Sequence, residues 1–100
     1  MRLSEFEIES IKSLAGYHFG TDVQVFLFGS RTNNQMRGGD IDLFVRNPNG
    51  KHLKIRTKMN FIADLLFRIG EQSIDVVLEN PSTKNSVFIK TINQTGIQLC

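Results

Sequence analysis

Phe28-Gly29-Ser30-Arg31-Thr32-Asn33-Asn34-Gln35-Met36-Arg37-Gly38-Gly39-Asp40-Ile41-Asp42-Leu43-Phe44-Val45 is the stretch on which the fold turns. An apolar run ends in Gly29-Ser30, a polar spacer follows, and a second apolar run carries Asp40 and Asp42. Side chains alternate along a strand, so Asp40 and Asp42 share one face while Ile41, Leu43 and Val45 share the other. Aspartate is depleted in strands, and two on one face repel each other. A divalent cation resolves that conflict: Mg²⁺ takes carboxylate oxygens and keeps positions open for water and substrate phosphate. The plainer alternative is a strand edge with two solvated carboxylates. Asp-x-Asp alone does not choose between them.

A further aspartate shifts the balance. Asp75 lies in Ser73-Ile74-Asp75-Val76-Val77-Leu78, again a lone carboxylate in an apolar strand. If this strand lies beside the second, Asp75 reaches the same site. Three carboxylates can hold two metal ions, which in such sites sit roughly 3.5–4 Å apart. One ion would bind a triphosphate and the other would activate an acceptor hydroxyl, with Asp75 placed to take its proton. The competing reading pairs Asp75 with a lysine or arginine on the sheet.

Gly29-Ser30 supplies the other half. A strand that ends in glycine and enters a turn aims backbone N–H groups at what lies beyond, which makes an anion site. The Ser30 hydroxyl adds a donor, and Arg31 is a candidate for direct phosphate contact. Gly-Ser by itself is a common turn dipeptide, and an arginine is most often solvated. The order of the motifs carries the argument: strand, Gly-Ser, nine residues, Asp-x-Asp, then a third-strand aspartate. The chain has neither the lysine-bearing phosphate loop nor the dinucleotide-binding glycine pattern.

Working outward, Ser4 to about Tyr17 reads as a helix with a Ser4/Glu7 capping box. Its apolar stripe is Leu3, Ile8, Ile11, Leu14 and Ala15, and Gly16 and Gly20 mark its end. Val23–Phe28 reads as a strand apolar enough to be covered on both faces. Ser30–Arg37 is a short helix or ordered turn broken by Gly38-Gly39. Asp40–Val45 is the second strand, closed by Arg46-Asn47-Pro48-Asn49-Gly50. Lys51–Ile69 is the clearest helix. Ile55, Met59, Ile62, Leu66 and Ile69 form its stripe, Phe61 and Leu65 widen it, and Gly70 caps it. Ser73–Glu79 is the third strand, ended by Asn80-Pro81. Thr83–Thr95 is a last helix, packed by Val87, Phe88 and Ile92 and stopped by Gly96. Helices alternating with strands place the chain in the α/β (α+β) class, with a small sheet flanked by helices.

Composition sets the outer limits. One hundred residues make one domain, with no room for a second lobe. A net charge of +2 argues against nucleic acid, which calls for a basic face. A single cysteine, Cys100, forms no internal disulfide and reads as an exposed terminal thiol without a role. No apolar run approaches a membrane span, and the first residues have no signal core, so a cytoplasmic protein is the default. His18 and His52 show no metal spacing and read as surface or helix-end residues.

With these motifs in place the chain resembles the nucleotidyltransferase superfamily that includes the polymerase β palm. It is most similar to the short minimal nucleotidyltransferases. Gly29-Ser30-Arg31, Asp40-Ile41-Asp42-Leu43 and Asp75 carry the resemblance, which extends to Phe88-Ile89-Lys90 and Gly96-Ile97-Gln98-Leu99. It implies a palm-like fold with a small mixed sheet of three to four strands over residues 1–100. It implies that Gly29 and Ser30 bind nucleotide phosphates, and that Asp40, Asp42 and Asp75 bind Mg²⁺, with two ions. The spacer from Thr32 to Gly39 departs from the family pattern in its two asparagines and second glycine.

The expected reaction is transfer of AMP from ATP to a hydroxyl, with loss of pyrophosphate. Larger members of the superfamily add a domain that holds the acceptor. A chain this short implies an acceptor held by, or belonging to, another chain. The resemblance points to a helical HEPN-type toxin encoded nearby, modified on a tyrosine, with this chain as the antitoxin and a protein adenylyltransferase. Two alternatives stay open: a module that neutralises its partner by docking alone, and a transferase acting on a small molecule or an RNA end. Homo-oligomerisation is also open.

Overall fold

A computed structural model of the protein describes residues 1–32, 39–49, 52–80 and 87–100. The interior of the spacer with Gly38, Gly50 and Lys51, Pro81, and the expected helix start near Thr83 lie outside the described residues. So do the side chains of Ser30, Val87 and Phe88.

Helix α1 spans Glu5–Phe19. The Glu7 N–H donates to Ser4 Oγ at 3.1 Å and the Ser4 N–H to Glu7 Oε1 at 2.8 Å, so both arms of the capping box are made. The helix runs through Gly16 and stops at Gly20, whose φ of +101° breaks it. A glycine inside a helix costs only about 1 kcal/mol relative to alanine, and the extra turn buries Phe19 completely.

Strand β1 (Gln24–Phe28) leads into a tight 3₁₀ turn, Gly29–Thr32, and β2 covers Ile41–Arg46. Helix α2 (Ile55–Ile69) crosses over to β3 (Ile74–Leu78), and α3 (Val87–Thr95) precedes β4 (Ile97–Gln98). The sheet order is β3-β2-β1-β4. β2 and β3 are parallel, as their helical crossover requires, and the other pairings are antiparallel.

The core lies on one sheet face. Val25, Leu27, Ile41, Leu43, Val45 and Val76 meet Ile11, Ala15 and Phe19 of α1 and Phe61 and Leu65 of α2. The Phe19 and Phe61 rings pack at 5.2 Å. Val25 and Leu27 are buried while Gln24, Phe26 and Phe28 are half-buried, so β1 is covered more fully on its core face than on the other. On that second face Phe44 is fully buried, with its ring 6.3 Å from that of Phe26, and α3 packs against β1.

Two expectations are corrected. The stripe of α2 is rotated: Phe61 and Leu65 are buried, while Ile55 and Met59 are 77% and 56% exposed. Ile55 begins the helix beside the edge strand β3, where the sheet ends and leaves it no core to enter. The second correction concerns the C-terminus. The sequence reading assigned no strand after Gly96, yet Ile97 pairs with Leu27 and Gln98 with Phe26. The Leu99 N–H then donates to Val25 O at 2.7 Å and the Val25 N–H to Cys100 O at 3.2 Å. Cys100 is therefore half-buried against the core instead of exposed, and burial raises its thiol pKa. Among the described residues no helix is long and apolar enough to cross a membrane.

Candidate active site

The sheet register brings the acidic residues together. Phe28 lies opposite Asp42 on one side, and Asp75 lies opposite Asp42 on the other. Directly opposed residues share a face, and neighbouring strands run roughly 4.8 Å apart. Asp42 and Asp75 thus stand side by side on the face away from the main core. Asp40 lies just ahead of β2 and is exposed.

The electrostatics of Asp42 record this crowding. Burial raises its pKa first, and the charges of Asp40 and Asp75 raise it further. Among the described residues no lysine or arginine pairs with any of the three. The expected competitor, a cation on the sheet beside Asp75, is absent from the described ion pairs. Among the described residues no three acidic, histidine or cysteine side chains converge on one point.

The Gly29 turn closes over the same spot. Gly29 has a φ of +76°, and a β-carbon there would run into Asp42 Oδ2. Only glycine both adopts this backbone and lets the turn rest on the carboxylate. The Thr32 hydroxyl donates to Gly29 O at 2.7 Å and fixes the turn from its far end. The expected phosphate turn and the acidic pair are thus adjoining parts of one place.

Arg31, the expected phosphate contact, donates to three groups within the protein. Its Nη1 donates to Arg2 O at 2.8 Å, Nη2 to Gln72 Oε1 at 3.2 Å, and Nε to Gly39 O at 3.3 Å. Sequence reasoning gave Gln72 no role, read Glu7 only as half of a capping box, and passed over Thr32 as the first residue of the spacer; Gln72 and Glu7 reach Arg31 only through the fold.

A cleft of about 400 Å³ opens beside Asp75 at the edge of β3. Leu53, just ahead of α2, and Ile55 and Lys58 at its start line it, with Val77 of β3 and Glu79 just past that strand. His18 lies apart, with Nε2 2.7 Å from Asp64 Oδ2, and ties α1 to α2.

A model of the family "Polymerase beta, Nucleotidyltransferase" matches residues 9–100. The chain belongs to the polymerase β-type nucleotidyltransferase family. Among the described residues, its mixed four-stranded sheet with three helices is that family's fold. Among solved structures, this nucleotidyltransferase is similar to a chain in a mutant of the toxin–antitoxin pair MntA–HpeT. The TM-score is 0.70 at 20% identity, covering 93% of this chain and 71% of that one. No curated protein matches the sequence.

The carboxylates of this nucleotidyltransferase suit a divalent metal in donor type, while among the described residues no three side chains are grouped to hold one. Carboxylate oxygens are the donors that Mg²⁺ prefers, and a cation beside Asp42 would offset what raises its pKa: burial first, then the charges of Asp40 and Asp75.

Proposed function

We propose that this protein transfers AMP from ATP to a hydroxyl of a partner protein, and that the partner is a HEPN-type toxin modified on a tyrosine. The observation that carries the reading is the row Phe28–Asp42–Asp75, with Gly29 resting on Asp42. It sets two carboxylates and a glycine turn at one point on the sheet. The toxin–antitoxin partnership is supported by the likeness to the MntA–HpeT chain. The substitutions named for that mutant replace two aspartates, spaced as Asp40 and Asp42 are, by glutamate.

In this reading Asp40, Asp42 and Asp75 hold Mg²⁺, which when bound neutralises phosphate charge and lowers the pKa of the acceptor hydroxyl. Gly29 and Ser30 seat the triphosphate. The acceptor enters from the cleft beside Asp75, where Ile55 and Leu53 offer apolar surface to an aromatic ring. The acceptor oxygen bonds to the α-phosphorus as the bond to the bridging oxygen breaks. Pyrophosphate leaves, and the acceptor proton passes to Asp75. Positioning and charge neutralisation supply most of the catalysis.

The test is to incubate the protein with Mg²⁺-ATP and the product of the neighbouring gene and to weigh the partner intact. A gain of one adenylyl group, mapped to tyrosine and lost in Asp42→Asn, is the expected result. A tight complex without mass gain would instead establish neutralisation by docking.

A further inference from the structure

Beneath the turn, one guanidinium joins the three pieces of backbone that carry the site. Arg31 follows directly on Gly29-Ser30. Its Nε donates to the carbonyl of Gly39, the residue before Asp40, and its Nη2 to the side chain of Gln72, three residues before Asp75. The Arg2 backbone clasps it from outside, with Arg2 O accepting from Nη1 and the Arg2 N–H donating to Arg31 O, each at 2.8 Å. Gln72 in turn donates from Nε2 to Glu7 Oε2 at 2.9 Å, and Glu7 is fixed by the capping box of α1. The strands themselves are stitched at this end by the Ile41 N–H donating to Ser73 O at 2.9 Å.

We propose that Arg31, with Gln72 and Glu7, is a positioning network that sets the separation of the Gly29-Ser30 turn, the Asp40–Asp42 strand and the Asp75 strand. The chemistry selects arginine. A planar fork donates in several fixed directions at once, so one side chain reaches three acceptors on three segments. A lysine ammonium, a single point of charge, does not span them. Gln72 is matched to its place because its amide accepts from Arg31 with oxygen and donates to Glu7 with nitrogen. The network closes the ends of the spacer through Gly39, so the turn and the first carboxylates move as one body. Its kinetic consequence rests on the nucleotidyl-transfer reading, but its structural consequence does not.

The test compares Arg31→Lys and Gln72→Ala with the wild type in three measurements. These are amide hydrogen exchange, binding of a non-hydrolysable ATP analogue with Mg²⁺, and AMP transfer to the neighbouring gene product at saturating ATP. In Arg31→Lys, exchange at Gly39–Asp42 and Gln72–Asp75 should rise about tenfold or more, with the α1 core amides unchanged. Analogue affinity should stay within about threefold while turnover falls about tenfold or more, the mark of lost positioning rather than lost binding. Gln72→Ala should shift the same readouts less, and the double variant should be little worse than Arg31→Lys, because both act through one network. A large loss of analogue affinity with exchange unchanged would make Arg31 a phosphate ligand and overturn the proposal. Faster exchange throughout α1, or no change in any measurement, would overturn it too. If the wild type transfers no AMP, the functional reading fails, and exchange with analogue binding decides the network alone.

Discussion

The Gly29 backbone rests against the Asp42 carboxylate so closely that a β-carbon at position 29 would meet Oδ2. The turn that ends β1 and the acid near the start of β2 fit together: position 29 carries no β-carbon, and the Asp42 carboxylate fills the space one would take. Gly29→Ala should therefore act twice. The positive φ and the steric conflict should destabilise the fold by about 1–3 kcal/mol, read as a shift in denaturant midpoint. The displaced Asp42 should cost activity beyond what the stability loss explains.

Asp42 is held at a cost to the fold. Its pKa is raised in the folded protein by burial and by Asp40 and Asp75, so its charged form is worse placed folded than unfolded. For an acid with a raised folded pKa, that penalty is present at neutral pH and fades as pH falls through the folded pKa. Asp42→Asn should then raise the melting temperature at pH 7 in metal-free buffer, and the gain should shrink on acidification. The same variant should lose transfer and lose the stabilisation that Mg²⁺ gives the wild type. A melting temperature that falls at pH 7 would contradict this electrostatic picture.

Glu7 carries the opposite sign. Burial pushes its pKa up, but hydrogen bonds from Ser4 and Gln72 and the charge of Arg31 outweigh that, and the net shift is downward. The stability it contributes is present above the ordinary glutamate range and is lost as pH falls through the lowered value. Urea unfolding against pH should show a loss on the acid side that is absent in Glu7→Gln. Ser4→Ala removes the reciprocal cap and should cost about 1 kcal/mol at neutral pH.

The rotated face of α2 separates packing from surface. Phe61→Ala and Leu65→Ala empty fully buried positions and should cost about 2–5 kcal/mol each. Ile55→Ala, at a site 77% exposed, should stay within about 0.5 kcal/mol of the wild type. Since Ile55 lines the cleft beside Asp75, the same substitution should raise the KM for the acceptor and leave that for ATP unchanged. An unchanged acceptor KM would remove the cleft from the acceptor's path.

Much of this was legible in the residues themselves. Period-two alternation placed Asp42 away from Ile41 and Leu43, and the caps at Ser4 and Gly70 bounded two helices, because these signals are local. The register that puts Asp75 beside Asp42 was conditional on strand order, which no local pattern states. Strand β4 was missed because Ile97-Gln98 is too short to show a period and exists only through pairing with β1. The exposure of Ile55 and Met59 was hidden because a helical stripe records spacing but not where the sheet beneath it stops. Arg31 was legible as a residue near the turn. Its partners Arg2, Gly39 and Gln72 come from three separate segments and are joined only by the fold.

The most direct measurement supplies ATP labelled at either the α- or the γ-phosphate, with Mg²⁺ and the neighbouring gene product, and follows label onto protein. Nucleotidyl transfer at Asp40, Asp42 and Asp75 puts the α label on the partner and releases the γ label as pyrophosphate, and Asp42→Asn abolishes both. Label from the γ position on the partner, or α-label transfer undiminished in Asp42→Asn, would contradict the assignment of this site.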